Sequence, residues 1–127
     1  MDAITRKLVR TRAGNRCEYC GLSLSLVSVA AFHVEHIRSR QHGGSDEASN
    51  LALACQHCNL HKGPNLTGID PATDQIASLF NPRQDTYSEH FEVRGAFIVG
   101  LTPQGRATVN VLAMNSAEQL AIRSDAE

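Results

Sequence analysis

The sequence predicts an α+β fold in which short strands and helices surround a metal site. Three observations predict it. Residues 3–13 have the apolar spacing of a helix, and two apolar segments, at about 31–35 and 51–54, have the length of strands. All four cysteines form two CxxC pairs. The 127 residues fit a single domain over 1–127, and an apolar fraction of 42% supplies its core.

The first half of the chain carries most of the predicted elements. The helix over 3–13 ends at Gly14 and Asn15. Residues 22–31 are predicted to be a loop that passes into the first strand, and residues 37–49 a polar loop. After the second strand, a short helix over about 56–62 is stopped by Gly63-Pro64.

The second half is predicted to be less regular at its start. Residues 64–90 contain many turn residues and are expected to be mostly irregular. Residues 91–101 are predicted to form a hairpin with Gly95 at or near the turn. Thr102-Pro103 has the pattern of an N-cap and first helical residue, and the helix is expected to reach about Met114. A last helix is expected after a cap at Asn115 or Ser116, with Glu118 in its first turn.

Charge is distributed unevenly although the net charge is only −1. Residues 1–62 carry eight Lys or Arg and five Asp or Glu, whereas residues 63–127 carry four Lys or Arg and eight Asp or Glu. A local anionic partner is therefore expected near the first half. The N-terminal residues show no secretory apolar segment and no window approaches a membrane span, so we expect a cytoplasmic protein without membrane contact.

The two CxxC pairs predict a structural zinc site. Each pair can place two sulfurs close enough for one tetrahedral ion, and a closed set of four thiolates leaves no position for a substrate. An iron–sulfur cluster remains an alternative. Disulfides do not suit a reducing cytosol, and a redox motif needs only one CxxC. The expected zinc ligands are Cys17, Cys20, Cys55 and Cys58.

The segment VEHI…GG…NLALACQHCNLHKG resembles the HNH endonuclease family over roughly residues 17–63, with 64–127 as an extension that is similar to small stand-alone bacterial members. The resemblance implies a ββα-metal unit of two strands and a helix that hold one divalent cation. The family's three motifs fall on Glu35-His36, on Asn50 and on Asn59. The intervals are 14 residues from His36 to Asn50 and 9 from Asn50 to Asn59.

The resemblance implies a role for each motif residue. Glu35 and Asn59 are expected to hold Mg²⁺ or Mn²⁺ through oxygen atoms, which such hard cations prefer. His36 is expected to be the general base, since an imidazole accepts protons near neutral pH, with its tautomer fixed by a backbone carbonyl. Asn50 is expected to bond across the loop and hold His36 in place. The family most often has Asp before the histidine, so Glu35 is a departure that adds one methylene.

Other polar residues near the motifs are candidates for accessory or phosphate contacts, with solvated or packed side chains as the alternative. His33 shares a strand face with Glu35. Cations would neutralise phosphate charge at this site. The accessory candidates are His33, Arg38, Arg40, His42, His61 and Lys62. Leu51, Leu53 and Leu60 are expected in the core or at its border.

The motif order and the resemblance therefore lead us to expect a metal-dependent endonuclease that hydrolyses DNA, with RNA the less favoured substrate. The resemblance implies products with a 5′ phosphate and a 3′ hydroxyl. An inactive, zinc-stabilised nucleic-acid-binding module is the alternative. A zinc-held protein-interaction domain is a third hypothesis, suggested by the acidic second half; the sequence identifies no protein partner.

Overall fold

Contacts divide the chain into two units, Met1–Pro64 and Asn65–Glu127, in a computed structural model that describes residues 1–26 and 31–125. The part of the predicted loop at 27–30 lies outside the described residues. That the two units form one domain stays a prediction.

The first unit begins with helix α1, Ala3–Arg12. The Asp2 carboxylate accepts a hydrogen bond from the Thr5 backbone N–H at 2.7 Å, which satisfies one of the unpaired donors of the first turn. The predicted apolar stripe is buried only in part. Val9 is fully buried, whereas Ile4 is 81% exposed.

Strands β1 (Phe32–His36) and β2 (Leu51–Cys55) form the predicted antiparallel pair, with His36 opposite Leu51 and Phe32 opposite Cys55. All five residues of β2 are buried, so this strand is the centre of the first unit. Helix α2, Gln56–Lys62, follows β2 without a loop and ends at Gly63, as predicted.

The connection between β1 and β2 is the predicted polar loop. It contains two short 3₁₀ turns, Arg40–His42 and Ala48–Asn50. Gly44 is required where the loop folds back on its own start, because a Cβ atom there would lie 1.7 Å from the carbonyl oxygen of Arg38. The loop thus returns the chain from the end of β1 to the start of β2.

The prediction that residues 64–90 are mostly irregular is wrong for the first part of the second unit. Strands β3 (Thr67–Asp70) and β4 (Gln75–Ser78) form an antiparallel hairpin. Asp70 organises its turn, because its carboxylate accepts from the Ala72 backbone N–H at 3.0 Å and from Thr73 Oγ1 at 2.9 Å. The turn residues that suggested a long loop therefore connect two strands. A short helix α3 spans Tyr87–His90.

The remaining predicted elements of the second unit are present. Strands β5 (Phe91–Arg94) and β6 (Phe97–Gly100) form the hairpin, and Gly95 has φ +60° at its turn. Helix α4, Pro103–Val111, begins at the Thr102 cap, and helix α5 spans Ala117–Asp125.

Two details of the helices in the second unit were not predicted. Helix α4 stops three residues before Met114, and Ala113 adopts a positive φ of +46° just beyond it. Gly105 occurs inside the helix because a Cβ atom there would lie 2.1 Å from the His90 carbonyl oxygen. Within the described residues, no helix has the length and apolarity that crossing a membrane requires.

Leu53 and Leu60 make a matched pair for testing this core. Leu53 is fully buried in β2, whereas Leu60 is 68% exposed on α2, contrary to the expectation that it packs in the core or at its border. We expect Leu53→Ala to lower the free energy of unfolding by roughly 2–5 kcal/mol. Leu60→Ala is expected to change it by less than about 0.5 kcal/mol. Urea unfolding of the zinc-loaded protein, followed by circular dichroism, measures both; equal losses would contradict the assigned core.

Candidate active site and metal centre

The four cysteines converge on one point of the first unit. Their sulfur atoms all lie within 4.8 Å of one another, and all four residues are buried. The Sγ atoms of Cys20 and Cys55 are 3.7 Å apart. Four zinc–sulfur bonds of about 2.3 Å in a tetrahedron separate the sulfurs by about 3.8 Å. The donor set therefore fits one zinc ion with no open position, and it leaves no room for a cluster of several irons.

Backbone hydrogen bonds shape both CxxC turns. The backbone N–H of Cys20 donates to Cys17 Sγ, and that of Cys58 donates to Cys55 Sγ, each at 3.4 Å. Hydrogen bonds from the other three thiols, that of Cys17 foremost, lower the pKa of the Cys55 thiol. At Cys55 these contacts favour the negatively charged thiolate, which is the form that binds a metal, whereas the same cluster of thiols raises the pKa of Cys20 and Cys58.

The first CxxC turn is also fastened to strand β2. Glu18, inside the turn, donates its backbone N–H to the Leu53 carbonyl at 2.8 Å, and its carboxylate accepts from the Leu53 backbone N–H at 2.8 Å. The turn thus continues the hydrogen bonding of the β1–β2 pair. Sulfur ligands and backbone bonds together hold residues 17–20 against the buried strand.

A cleft of about 660 Å³ lies beside this centre and contains three of the four motif residues. Glu35 and His36 come from the end of β1, and Asn59 comes from α2. Ser39, Arg40 and Arg6 also line it. Asn50 and the accessory candidates other than Arg40 are not among its lining residues.

Glu35 is buried with both carboxylate oxygens engaged. It is 6% exposed. The Tyr19 hydroxyl donates a hydrogen bond to Oε1, and the Lys62 Nζ atom lies 3.2 Å from Oε2. Burial raises the pKa of Glu35, and the Lys62 ammonium opposes that rise. The additional methylene of glutamate therefore carries the carboxylate into contact with groups inside the protein.

His36 is oriented by a carboxylate. Its Nε2 atom lies 2.6 Å from Asp46 Oδ1, and Arg40 NH2 contacts both oxygens of Asp46 at 2.9 Å. Hydrogen bonds from His36 and Arg40 lower the pKa of Asp46 to about 2. Because an ionised carboxylate only accepts hydrogen bonds, Nε2 is the ring atom that donates in this contact, which leaves Nδ1 as the atom through which the ring could accept a proton. Within the described chain, the hydrogen bond of the ring goes to this carboxylate and not to the backbone carbonyl that the resemblance implied.

Asn50 bonds across the loop that follows His36. Its Nδ2 atom donates to the carbonyl oxygens of Arg38 at 2.9 Å and of Ser45 at 2.8 Å, and its Oδ1 atom accepts from the Arg38 backbone N–H at 2.9 Å. Three bonds from one side chain close the loop just after His36. This is the geometry that a supporting residue requires.

The accessory candidates are distributed differently from expectation. His33 and His42 are exposed, and the Arg38 side chain donates to the His42 carbonyl. His61 is exposed on α2, where its ring lies 4.2 Å from that of His57, centroid to centroid. Lys62, which was grouped with cations that meet phosphate, is 2% exposed, donates to the Ile37 carbonyl at 2.9 Å and pairs with Glu35.

Two residues beside the motifs were missed. Tyr19 lies between two of the cysteines, and Asp46 is one acidic residue in a polar loop. A signal existed only for Asp46, as an acidic residue shortly after the Gly43-Gly44 turn. The contact that Tyr19 makes depends on how the chain folds back.

A pair of antiparallel strands followed by a helix, with a four-cysteine metal site and a polar cleft, defines the class of metal-stabilised ββα proteins. Residues 17–65 match the family model described as HNH endonuclease. The Septu protein PtuB of Bacillus thuringiensis is 28% identical over 110 residues, which cover 85% of this chain. The chain spans only 40% of the length of that relative. No solved structure matches the chain.

Metal content tests the four-cysteine centre. We expect the purified protein to carry one zinc ion per chain, as measured by plasma mass spectrometry. Cys58→Ser is expected to lose most of the zinc and to lower the thermal midpoint, because bound metal stabilises the fold. His57→Ala, between the ligands, is expected to keep it. Iron in place of zinc, or full zinc retention in Cys58→Ser, would contradict the assignment.

Hydrogen exchange tests the support by Asn50. Asn50→Ala removes three hydrogen bonds, each worth about 0.5–1.5 kcal/mol net. We expect the Arg38 amide to exchange at least tenfold faster, which corresponds to about 1.4 kcal/mol of lost local stability. Asn110→Ala, at an exposed position of α4, serves as the control. An unchanged Arg38 amide would show that Asn50 does not hold the loop.

Proposed function

We propose that this protein is a divalent-metal-dependent endonuclease that hydrolyses DNA phosphodiester bonds. One observation carries the proposal: a single cleft is lined by Glu35, His36 and Asn59, which occupy the family's acid, base and helix positions. A catalytically inactive domain has no need of an acid, a base and an amide in one cleft. The match to the HNH endonuclease model supports the same class of reaction.

The donor set of the cleft fits a hard cation. Glu35 offers carboxylate oxygens and Asn59 an amide oxygen, and Mg²⁺ or Mn²⁺ binds through one or two such protein ligands with water filling the remaining positions. When bound, the ion supplies charge neutralisation at the phosphate and stabilises the leaving oxygen. Each oxygen of Glu35 accepts one hydrogen bond and keeps a second lone pair for a ligand.

The protein's own residues handle the proton. His36 accepts a proton from the attacking water at Nδ1, while Asp46 holds Nε2–H and with it the orientation of the ring. A new P–O bond forms from the water and the P–O3′ bond breaks, so the products carry a 5′ phosphate and a 3′ hydroxyl. Asn50 keeps the loop closed during this step.

DNA is the proposed substrate, in preference to RNA, on the basis of the match to the HNH endonuclease model. Charge supports a polyanionic substrate of either kind, because Arg6 lines the cleft and a phosphate contact there supplies affinity that does not depend on sequence. The four thiol ligands suit a reducing compartment, which supports the proposed cytoplasmic location.

A second candidate function is nucleic-acid binding without cleavage. The observation that favours it is the engagement of both Glu35 oxygens by Tyr19 and Lys62. If those contacts exclude the ion, the cleft binds phosphate and does not hydrolyse it. A gel shift with DNA but no cleavage in Mg²⁺, Mn²⁺ or Ni²⁺ would favour this candidate.

Plasmid nicking tests the proposed activity. We expect wild-type protein with Mg²⁺ or Mn²⁺ to convert supercoiled plasmid to nicked or linear forms, and His36→Ala to be slower by a factor of about 10²–10⁴, as expected for the loss of a general base. His57→Ala, which leaves the cleft intact, is the matched histidine control and should cleave within about twofold of wild type. Equal trace nicking by wild type and His36→Ala would refute the proposal.

A further inference from the structure

The most buried polar cluster of the first unit is centred on Glu35 and is formed by three side chains. Tyr19 is 0% exposed, Lys62 is 2% exposed and Glu35 is 6% exposed. A hydroxyl contacts one carboxylate oxygen and an ammonium group contacts the other. A carboxylate held at both oxygens cannot rotate about its terminal torsion without losing one contact.

The hydroxyl in this cluster comes from a residue inside the first CxxC turn. Tyr19 lies between the ligands Cys17 and Cys20, in a turn that the Gly21 N–H closes onto the Cys17 carbonyl at 3.0 Å. The same turn is fixed to β2 by Glu18. The position of the phenol oxygen is therefore set by the metal centre and by the strand that pairs with β1.

The second contact fixes the remaining freedom of the carboxylate. Lys62 is the last residue of α2. Its ammonium group also donates a hydrogen bond to the Ile37 carbonyl oxygen and lies 3.4 Å from the His36 carbonyl oxygen. The end of α2 thus holds the main chain that carries the base as well as one oxygen of Glu35. Within residues 1–26 and 31–125, the hydrogen bond to the other oxygen comes from Tyr19.

We propose that Tyr19 is a positioning residue for the divalent-ion site, which makes the orientation of the Glu35 carboxylate depend on the first CxxC turn. This inference rests on the proposed function only in taking Glu35 as an ion ligand. A ring that served packing alone would not need its hydroxyl, whereas this hydroxyl donates to the carboxylate that lines the cleft. Hydrogen bonds to ligating carboxylates tune metal affinity, and their loss commonly costs 10- to 100-fold.

The test measures Mn²⁺ binding to zinc-loaded protein without DNA, by the paramagnetic resonance signal of free Mn²⁺. Zinc is diamagnetic and does not contribute to this signal. We expect one Mn²⁺ site in wild type and at least tenfold weaker binding in Tyr19→Phe, which removes only the hydroxyl. The chain has two tyrosines, so Tyr87→Phe in the second unit is the matched control and should bind within about twofold of wild type.

A double-mutant cycle separates positioning from a general loss of structure. Glu35→Gln is expected to weaken Mn²⁺ binding, and adding Tyr19→Phe to it should change the dissociation constant by less than about twofold. Zinc content must stay at one ion per chain in every variant. If Tyr19→Phe loses zinc, the alternative variant Tyr19→Leu, which also removes the donor but is smaller, is measured in its place, and unchanged Mn²⁺ affinity in that variant counts against the proposal.

Three results would overturn the inference. The first is an unchanged Mn²⁺ affinity in Tyr19→Phe, and the second is the absence of a Mn²⁺ site in wild type. The third is that Tyr19→Phe weakens Mn²⁺ binding by the same factor in the Glu35→Gln background as in wild type. Failure of the proposed function appears differently. A protein that binds Mn²⁺ with the expected dependence on Tyr19, yet does not cut plasmid DNA, keeps the positioning role of Tyr19 and rejects the nuclease activity.

Discussion

The close approach of four buried sulfurs is the constraint on which the first unit depends. It joins a turn near residue 18 to the junction between β2 and α2, two segments that are far apart in the sequence. The intervening strand β1 and its long loop are then held between fixed ends. A unit of about 64 residues gains little from apolar burial alone, so an ion held by the four cysteines would contribute a large share of its stability.

The effect of the sulfur site extends to the cleft through two side chains. Tyr19 belongs to the first CxxC turn. Lys62 ends α2, the helix that begins at the second CxxC turn. The two side chains contact opposite oxygens of Glu35. Glutamate at this position has a structural consequence, because its extra methylene lets the carboxylate reach both groups. A shorter aspartate on the same strand would reach less far toward them. The glutamate that replaces the family's usual aspartate is therefore what allows the buried cluster of Tyr19, Glu35 and Lys62 to form.

The sequence predicted the elements that carry strong local signals. The CxxC pairs, the β1–β2–α2 order and the Gly95 hairpin follow from spacing, apolar length and turn residues, and all are present. The β3–β4 hairpin was missed because its strands are only four residues long and turn residues surround them. Asp46 and Tyr19 could not be assigned from the sequence, because their contacts with His36 and Glu35 depend on where the loop and the CxxC turn return in space.

Charge pairing divides the cations around the cleft into two groups. Arg40 is paired with Asp46 and Lys62 with Glu35, so both stabilise groups that belong to the protein. Arg6 lines the same cleft and forms no ion pair with a carboxylate within residues 1–26 and 31–125. A net charge of −1 for the whole chain therefore does not describe the surface that a phosphate would meet. Eight of the thirteen acidic residues lie after residue 64, and the carboxylates of Glu35 and Asp46 are each offset by a cationic partner, so the positive charge of Arg6 is the one that faces the cleft without such a partner among these three cations.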